Sequence, residues 1–448
     1  MKPEIENARD NRGRRVSRAV DIAVFLLLLA AVSAVTLTLF HRQTHGSPQG
    51  YHSDMKAYIL EMQGLNSKYS FPYPVFFKLA AFIHLFAEAE LSVAIATMLL
   101  NSLAIVITKF AFNRMLLPKG KGRWWEGVLV SLLAVSLFFV SMLYPPKGIY
   151  LPGIKFNYLG VFSPNPFHNA TYMAARPFTI LAFLWYVKLL QGYEEGVKLK
   201  DCILFSVFLL IATMTKPSFT LVMVSTAGLI MLYRLIRSGF RNFVPTVQLG
   251  LTFVPTFIDL LYQYSGVFVP EEGAEGGVGF CFGEVWANVC DNIPLAVCLL
   301  VAFPLLMLTL NFRELKTNTL YRFSWQLFLL GLAEAFFLYE KGFRKFDFNF
   351  SWGYMCGAFF CHFGSLILLA QKTQAALNAE NAPDGCGVPV RGESGDGGWR
   401  KWRGRVAALW RKREWQLVLI AAQWLAYLWH LVCGLLYFRQ FMTGAMYY

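Results

Sequence analysis

Long unbroken apolar runs, such as Val24 to Leu39, alternate with short polar connections along the whole chain. A helix needs about 20 apolar residues to cross the roughly 30 Å of hydrocarbon in a bilayer, and on that measure the pattern predicts an all-α, polytopic bundle of about eleven spans. They fall near 20–40, 91–112, 127–144, 177–192, 202–216, 217–235, 244–263, 293–311, 321–339, 353–371 and 415–437. A spanning barrel is excluded, because it would show segments of alternating polarity. The run 75–86 is apolar but short, carries Lys78 and His84, and leads into Glu88 and Glu90. Counting it as a span would move Arg114, Lys119, Lys121 and Arg123 to the side that otherwise lacks basic residues, so it reads as a helix lying on the membrane surface.

The domain reading follows: a bundle over 1–371 with external loops 41–90, 145–176, 264–292 and 340–352, a cytoplasmic linker 372–414, and a last span with an external C-terminus over 415–448. Within the linker, Asn381 to Gly398 is polar and Gly-rich and predicts disorder. Trp399 to Trp415 interleaves tryptophans with basic residues, which fits either an interfacial helix drawn to anionic lipid or a basic anchor for the last span.

Composition agrees: 56% of residues are apolar and 15% charged, against about 25% charged in soluble chains. The net charge of +14 implies no nucleic-acid partner, because most of the 41 Lys and Arg residues sit at the amino terminus and in alternate loops. That is the positive-inside signature, which predicts a multi-pass protein with its N-terminus in the cytoplasm and its C-terminus outside; the membrane expected is a bacterial plasma membrane. Arg9, Arg12, Arg14, Arg15 and Arg18 before the first run mimic a signal peptide, but the run is too long and reads as a retained span. The eight cysteines form no Cys-x-x-Cys pair, which argues against zinc or redox chemistry. Cys281 and Cys290 share an external loop and could form a disulfide.

The same alternation collects the chemically interesting residues on the external side. In the first loop, Asp54, Tyr58 and Glu61 share one face of a predicted helix, while Met55, Ile59 and Met62 share another, so one side meets water and the other lipid. An acidic face there could take a proton from a hydroxyl or hold a cation, or it could be the solvated side of an ordinary amphipathic helix. The second loop holds Ser163 to Pro177. Here Arg176, before a helix opened by Pro177, is placed to hold phosphate, and His168 could serve as acid, ligand or plain donor. Asn169 and Thr171 form a glycosylation sequon relevant only to a eukaryotic secretory setting.

Lys216, beside Pro217 at a tight turn, is either an anchor or a phosphate partner. Glu340, Arg344 and Asn349 mark another external turn, whose charges bind substrate or pair among themselves. The run Gly273 to Gly283 lacks the Lys and Ser/Thr of a phosphate loop. Asp259 and Glu334 lie in the outer halves of spans. No internal repeat is visible.

Asp54, Tyr58, Glu61, Met62 and Gly64, followed by Tyr69-Ser-Phe-Pro-Tyr-Pro74, resemble the first external loop of the GT-C class of membrane glycosyltransferases. The resemblance covers some 25 residues besides the span pattern. It implies a GT-C-like bundle with interfacial helices in the first loop, a polyprenyl-phosphate-linked sugar as donor, and Asp54 as catalytic base. Glu61 and His168 would assist, with Tyr58, Asn169, Arg176, Lys216, Glu340 and Arg344 holding substrate and its phosphate. Members often carry two adjacent acids where this chain has Asp54 and Met55, so a divalent metal is possible but not indicated. Ser163 to Pro177 is also similar to a segment of uncharacterised bacterial polytopic membrane proteins. The alternatives are a transporter or flippase of a lipid-linked or anionic solute, with Arg176, Lys216, Asp259 and Glu334 along its path, a non-enzymatic envelope scaffold, and an acyltransferase acting through His168.

Overall fold

The computed structural model describes residues 2–45, 53–65, 70–117, 124–144, 162–267, 277–342, 344–380 and 413–444. Residues 145–161 of the second loop, the Gly-rich part of the linker and most of its Trp-rich part lie outside these. The described chain is all-α apart from one two-stranded ribbon. Its helices are α1 (Lys2–His45), α2 (Met55–Met62), α3 (Pro74–His84), α4 (Ala89–Leu116), α5 (Trp124–Ser136), α6 (Ala170–Leu190), α7 (Leu199–Thr215), α8 (Ser218–Arg237), α9 (Phe243–Leu251) and α10 (Val254–Val267). There follow α11 (Glu284–Ala287), α12 (Ile293–Leu300), α13 (Ala302–Leu310), α14 (Glu314–Thr317), α15 (Thr319–Phe337), α16 (Ser351–Glu380) and α17 (Arg413–Thr443).

Six of these helices are long and apolar enough to cross a membrane: α1 from Val16, α4, α6, α8, α16 and α17. Two bent pairs, α9 with α10 at 45° and α12 with α13 at 75°, raise the number to eight if each counts as one span. The protein is therefore multi-pass. The other three stretches expected to span are also helical, but they are shorter or less apolar: α5, α7 with 17 residues, and α15 with 19. The short run at 75–86 is the 11-residue α3, whose rise of about 16 Å falls well short of a bilayer.

Burial separates the core from the periphery. In the most apolar window of α16, 94% of residues are buried, against 22% in α1 and 28% in α17, so α16 is the central helix and the two terminal helices keep a wide surface for lipid. Lipid gives apolar side chains no reason to leave it, so helices in a bilayer associate through close backbone approach. Gly357 of α16 supplies it: a Cβ there would stand 2.7 Å from the Phe328 Cα of α15. Around this contact Phe183 stacks on Phe360 at 4.1 Å between ring centroids.

Several buried polar groups find partners inside the protein, which a medium without water favours. Lys109 of α4 donates to Asp21 of α1 and to the Gly127 carbonyl of α5, both at 2.8 Å, and Ser131 also reaches Asp21. The sharp α12–α13 break is served by His430 of α17. Its Nε2 accepts from the Phe303 N–H at 3.0 Å, which leaves Nδ1 to donate to the Ser141 carbonyl at 2.6 Å, so hydrogen bonding fixes a neutral imidazole in one tautomer. Cys281 and Cys290 are both buried and free, so the disulfide considered for them is not formed.

The Lys109–Asp21 pair gives a stability prediction, because removing one partner strands a buried charge. Lys109→Met is expected to cost about 3–5 kcal/mol, most of it regained in the double variant with Asp21→Leu. Reversible unfolding in mixed micelles measures both, and equal stability of the single and double variants would contradict the pairing.

Candidate functional site

At one end of the bundle, α6, α8 and α16 begin, and α7 and α15 finish. The site is built from these ends and from the first loop packed across them.

The first loop docks by its aromatic residues. Tyr58 packs edge-on against Phe71, Phe76 and Phe77, with centroids 5.2 to 6.0 Å apart. Met55 and Tyr58 are both buried, which corrects the expectation of a lipid face carrying Met55 and a water face carrying Tyr58. The helix presses its Met55–Tyr58 side into protein, because the aromatic cluster on α3 offers a dry partner there. Asp54 occupies the N-cap position of α2, where it stays open to the cavity instead of capping the helix.

The second loop enters α6 through Asn169. Its Oδ1 accepts from the Tyr172 N–H at 2.9 Å and so caps the helix, as Asn commonly does. This starts α6 at Ala170, seven residues before the expected opening at Pro177, which is accommodated inside the helix. With Oδ1 so engaged, the amide Nδ2 faces the first loop, donating to Asp54 Oδ2 at 2.7 Å and to the Tyr58 hydroxyl at 2.9 Å. Tyr58 in turn donates to Asp54 at 3.1 Å.

Lys216 stands at the α7–α8 turn in extended conformation, followed by Pro217. Only 7% exposed, it points inward instead of snorkelling. Its Nζ donates to Asn169 Oδ1 at 3.3 Å and Thr171 Oγ1 at 3.2 Å, and lies 4.7 Å from the centre of the Trp352 ring, a cation–π distance. Asn169 thus links the cation to the carboxylate, one through each end of its amide.

The remaining wall comes from the turn before α16. Strand β1 (Val278–Phe280) pairs antiparallel with β2 (Leu338–Glu340), setting Glu340 opposite Val278. Gly279 leaves room for the Tyr339 ring, which lies where a Cβ would stand. Glu340 accepts from Asn349 at 2.8 Å and pairs with Arg344 at 3.3 Å, while Arg344 also reaches Asp347 at 3.2 Å. Phe348 takes a positive φ of 60°, an uncommon state for a bulky residue. It is held there against Trp286 of α11, 5.4 Å away between centroids.

Together these parts enclose a cavity of about 350 Å³ whose walls include Asp54, Tyr58, Tyr73, His168, Asn169, Lys216, Glu340, Arg344, Asp347 and Trp352. Burial raises the Asp54 carboxyl above the ordinary range; the charge of Lys216 and the hydrogen bonds from Tyr58 and Asn169 oppose that shift without cancelling it. Asp54 keeps solvent access at the rim while protein crowds the rest of its carboxyl. Burial lowers Lys216 to about 8, against the pull of Asp54. It also lowers His168 to about 3, with Lys216 adding repulsion, so the imidazole is neutral at physiological pH. Glu340 is raised by burial, opposed first by Arg344.

Seven of the nine residues singled out from sequence therefore meet at one cavity: Asp54, Tyr58, His168, Asn169, Lys216, Glu340 and Arg344. Arg176 does not. It is buried in the second turn of α6, donates to the Pro164 carbonyl and Asn165, and sits among Phe138, Tyr172 and Phe359. Because Asn169 opens the helix earlier, Arg176 is carried inward from the mouth. Glu61 is half-buried on α2, outside the cavity wall, with its carboxyl raised by burial. Asp259 bonds Gln263, and neither it nor Glu334 lines the cavity. Tyr73, Asp347 and Trp352 were given no role; they lie within segments the sequence did mark, but as aromatic or exposed-looking residues they carry no pattern of their own. Among the described residues no three His, Cys, Asp or Glu side chains gather for a metal ion. No family model, curated protein or solved structure matches the chain.

The coupling of Lys216 to Asp54 has a sign that titration reads. In lysine 13C NMR, one signal is expected to titrate near 8, cationic below and neutral above. Asp54→Asn removes an attraction that favours the ammonium and so lowers that midpoint further. An unchanged or raised midpoint would contradict the contact.

Proposed function

We propose that this protein is an integral membrane glycosyltransferase of GT-C-like architecture, moving a sugar from a polyprenyl-phosphate donor to a hydroxyl acceptor on the extracytoplasmic face. The observation that carries this reading is the convergence of Asp54, His168, Lys216 and Glu340 from four separate stretches on one cavity. Its size lies within the usual range of about 300–1,000 Å³ for small-ligand sites. Carboxylates and amides beside the rings of Tyr73 and Trp352 suit a polyhydroxylated sugar, whose hydroxyls need acceptors and whose C–H faces lie well on aromatic rings.

In the proposed step, Asp54 takes the proton of the acceptor hydroxyl as its oxygen bonds the anomeric carbon. The bond from that carbon to the phosphate oxygen breaks, and its electron pair leaves with the lipid phosphate. A carboxyl raised by burial is a stronger base near neutral pH than an ordinary one. Lys216 is the cation assigned to the leaving phosphate, since Arg344 is already neutralised by Glu340 and Asp347. Leu221, exposed on the outer side of α8, also lines the cavity, which supports an entrance for the lipid tail. The assignment of the extracytoplasmic face, with the N-terminus inside and α5, α7 and α15 added to the spans, rests on the clustering of Arg and Lys at the opposite helix ends.

Broken helices are a feature of transporters, and this chain has two bent pairs. No residue of either pair lines the cavity, which favours chemistry over passage.

With a radiolabelled polyprenyl-phosphate sugar and the purified chain, Asp54→Asn is expected to lower transfer by about 10²–10⁴-fold while donor binding persists. Lys216→Met is expected to weaken donor binding itself. Full transfer by a stably folded Asp54→Asn protein would overturn the assignment.

A further inference from the structure

A second and larger cleft lies at the other end of α8, about 30 Å along that helix from Lys216. Its volume is about 1380 Å³, and it opens between the C-terminal half of α8 and the N-terminal half of α15. Arg234, Arg237, Arg241, Lys316 and Arg322 all line it, and the only carboxylate among its described lining residues is Glu194, which is paired with Arg234 at 2.9 Å.

The positive-inside tendency accounts for basic residues at this end of the bundle, but not for their facing one hollow. Arg234 and Arg322, on different helices, are close enough for their charges to repel. Arg322 is held in place by the Leu315 and Lys316 carbonyls at 3.0 and 3.2 Å.

A second observation is independent of charge. Asn242, 5% exposed, lines the same cleft, and its Oδ1 is used by the Ser238 hydroxyl. Its Nδ2 meets no acceptor among the described residues, although a buried N–H donor left unmatched is costly. Four cations beyond the Arg234–Glu194 pair and an unmatched N–H donor together call for an anionic acceptor. The wall is completed toward the membrane interior by Leu229 and Ile230 of α8 and Leu329 and Leu330 of α15. A soluble anion has no use for that wall; a lipid tail does.

The geometry points to a binding site for an anionic phospholipid, its phosphodiester held by Arg237, Arg241 and Asn242 and one acyl chain lying along Leu229 and Leu329. Basic pockets between spanning helices suit such headgroups. The site is separate from the sugar-transfer cavity and stands whether or not that reading holds.

Native mass spectrometry of the full chain in detergent, with phosphatidylglycerol, phosphatidylcholine of the same chains, or sn-glycerol 3-phosphate added, tests it. Phosphatidylglycerol is expected to bind most tightly, and Arg237→Gln with Arg241→Gln to weaken it about tenfold or more. Asn242→Asp, nearly the same shape, should also weaken it by turning a carboxylate oxygen toward the phosphate. Lys198→Gln with Lys200→Gln removes equal charge from the exposed start of α7 and is expected to change nothing. Equal losses in the two double variants, equal binding of the two lipids, or glycerol phosphate binding as tightly as phosphatidylglycerol would each overturn the proposal.

Discussion

Asn169 holds the site together. Its carbonyl oxygen serves a helix start and a buried ammonium, and its amide serves a carboxylate and a phenol. Because the cap fixes which way the amide faces, Lys216 and Asp54 are kept on opposite ends of one planar group. Two opposite charges from distant parts of the chain are thereby neighbours without being fused into a direct pair, and each remains available to a third party. A side chain without both a donor and an acceptor in this geometry could not do the same.

Much of this was legible in the sequence because a bilayer imposes few options. All eleven apolar stretches fall on helices, and the tight turn at Lys216 and Pro217 lies where the pattern put it. The convergence of the polar loops on one hollow was an inference from charge placement, and seven residues line that hollow. Burial was not legible. Tyr58 looked like a partner of Asp54 on a wet face, yet the aromatic cluster of α3 draws it into protein. Arg176 looked like a phosphate clamp because Pro177 resembles a helix start; the cap three residues upstream of Tyr172 decided otherwise, and local sequence does not say which of two start signals wins. The ribbon that places Glu340 pairs Gly279 with Tyr339, a contact between segments about 60 residues apart that no periodicity announces.

The two ends of α8 differ in character. At one end, a small polar cavity holds Lys216 and Asp54, linked through Asn169, beside the paired Glu340 and Arg344. At the other, several cations face an open cleft with a greasy back wall. Elsewhere in the bundle, Lys109 pairs with Asp21, and His430 serves the α12–α13 break, so these buried polar groups are met within the protein.

The most direct measurement of the central claim is an experimental structure of the full chain in lipid nanodiscs with polyprenyl phosphate added. The account predicts the phosphate beside Lys216, within the hollow bounded by Asp54, Asn169 and Trp352, and the tail leaving past Leu221. A phosphate bound elsewhere, or a first loop folded away from α6 so that Asp54 and Asn169 no longer meet, would contradict it.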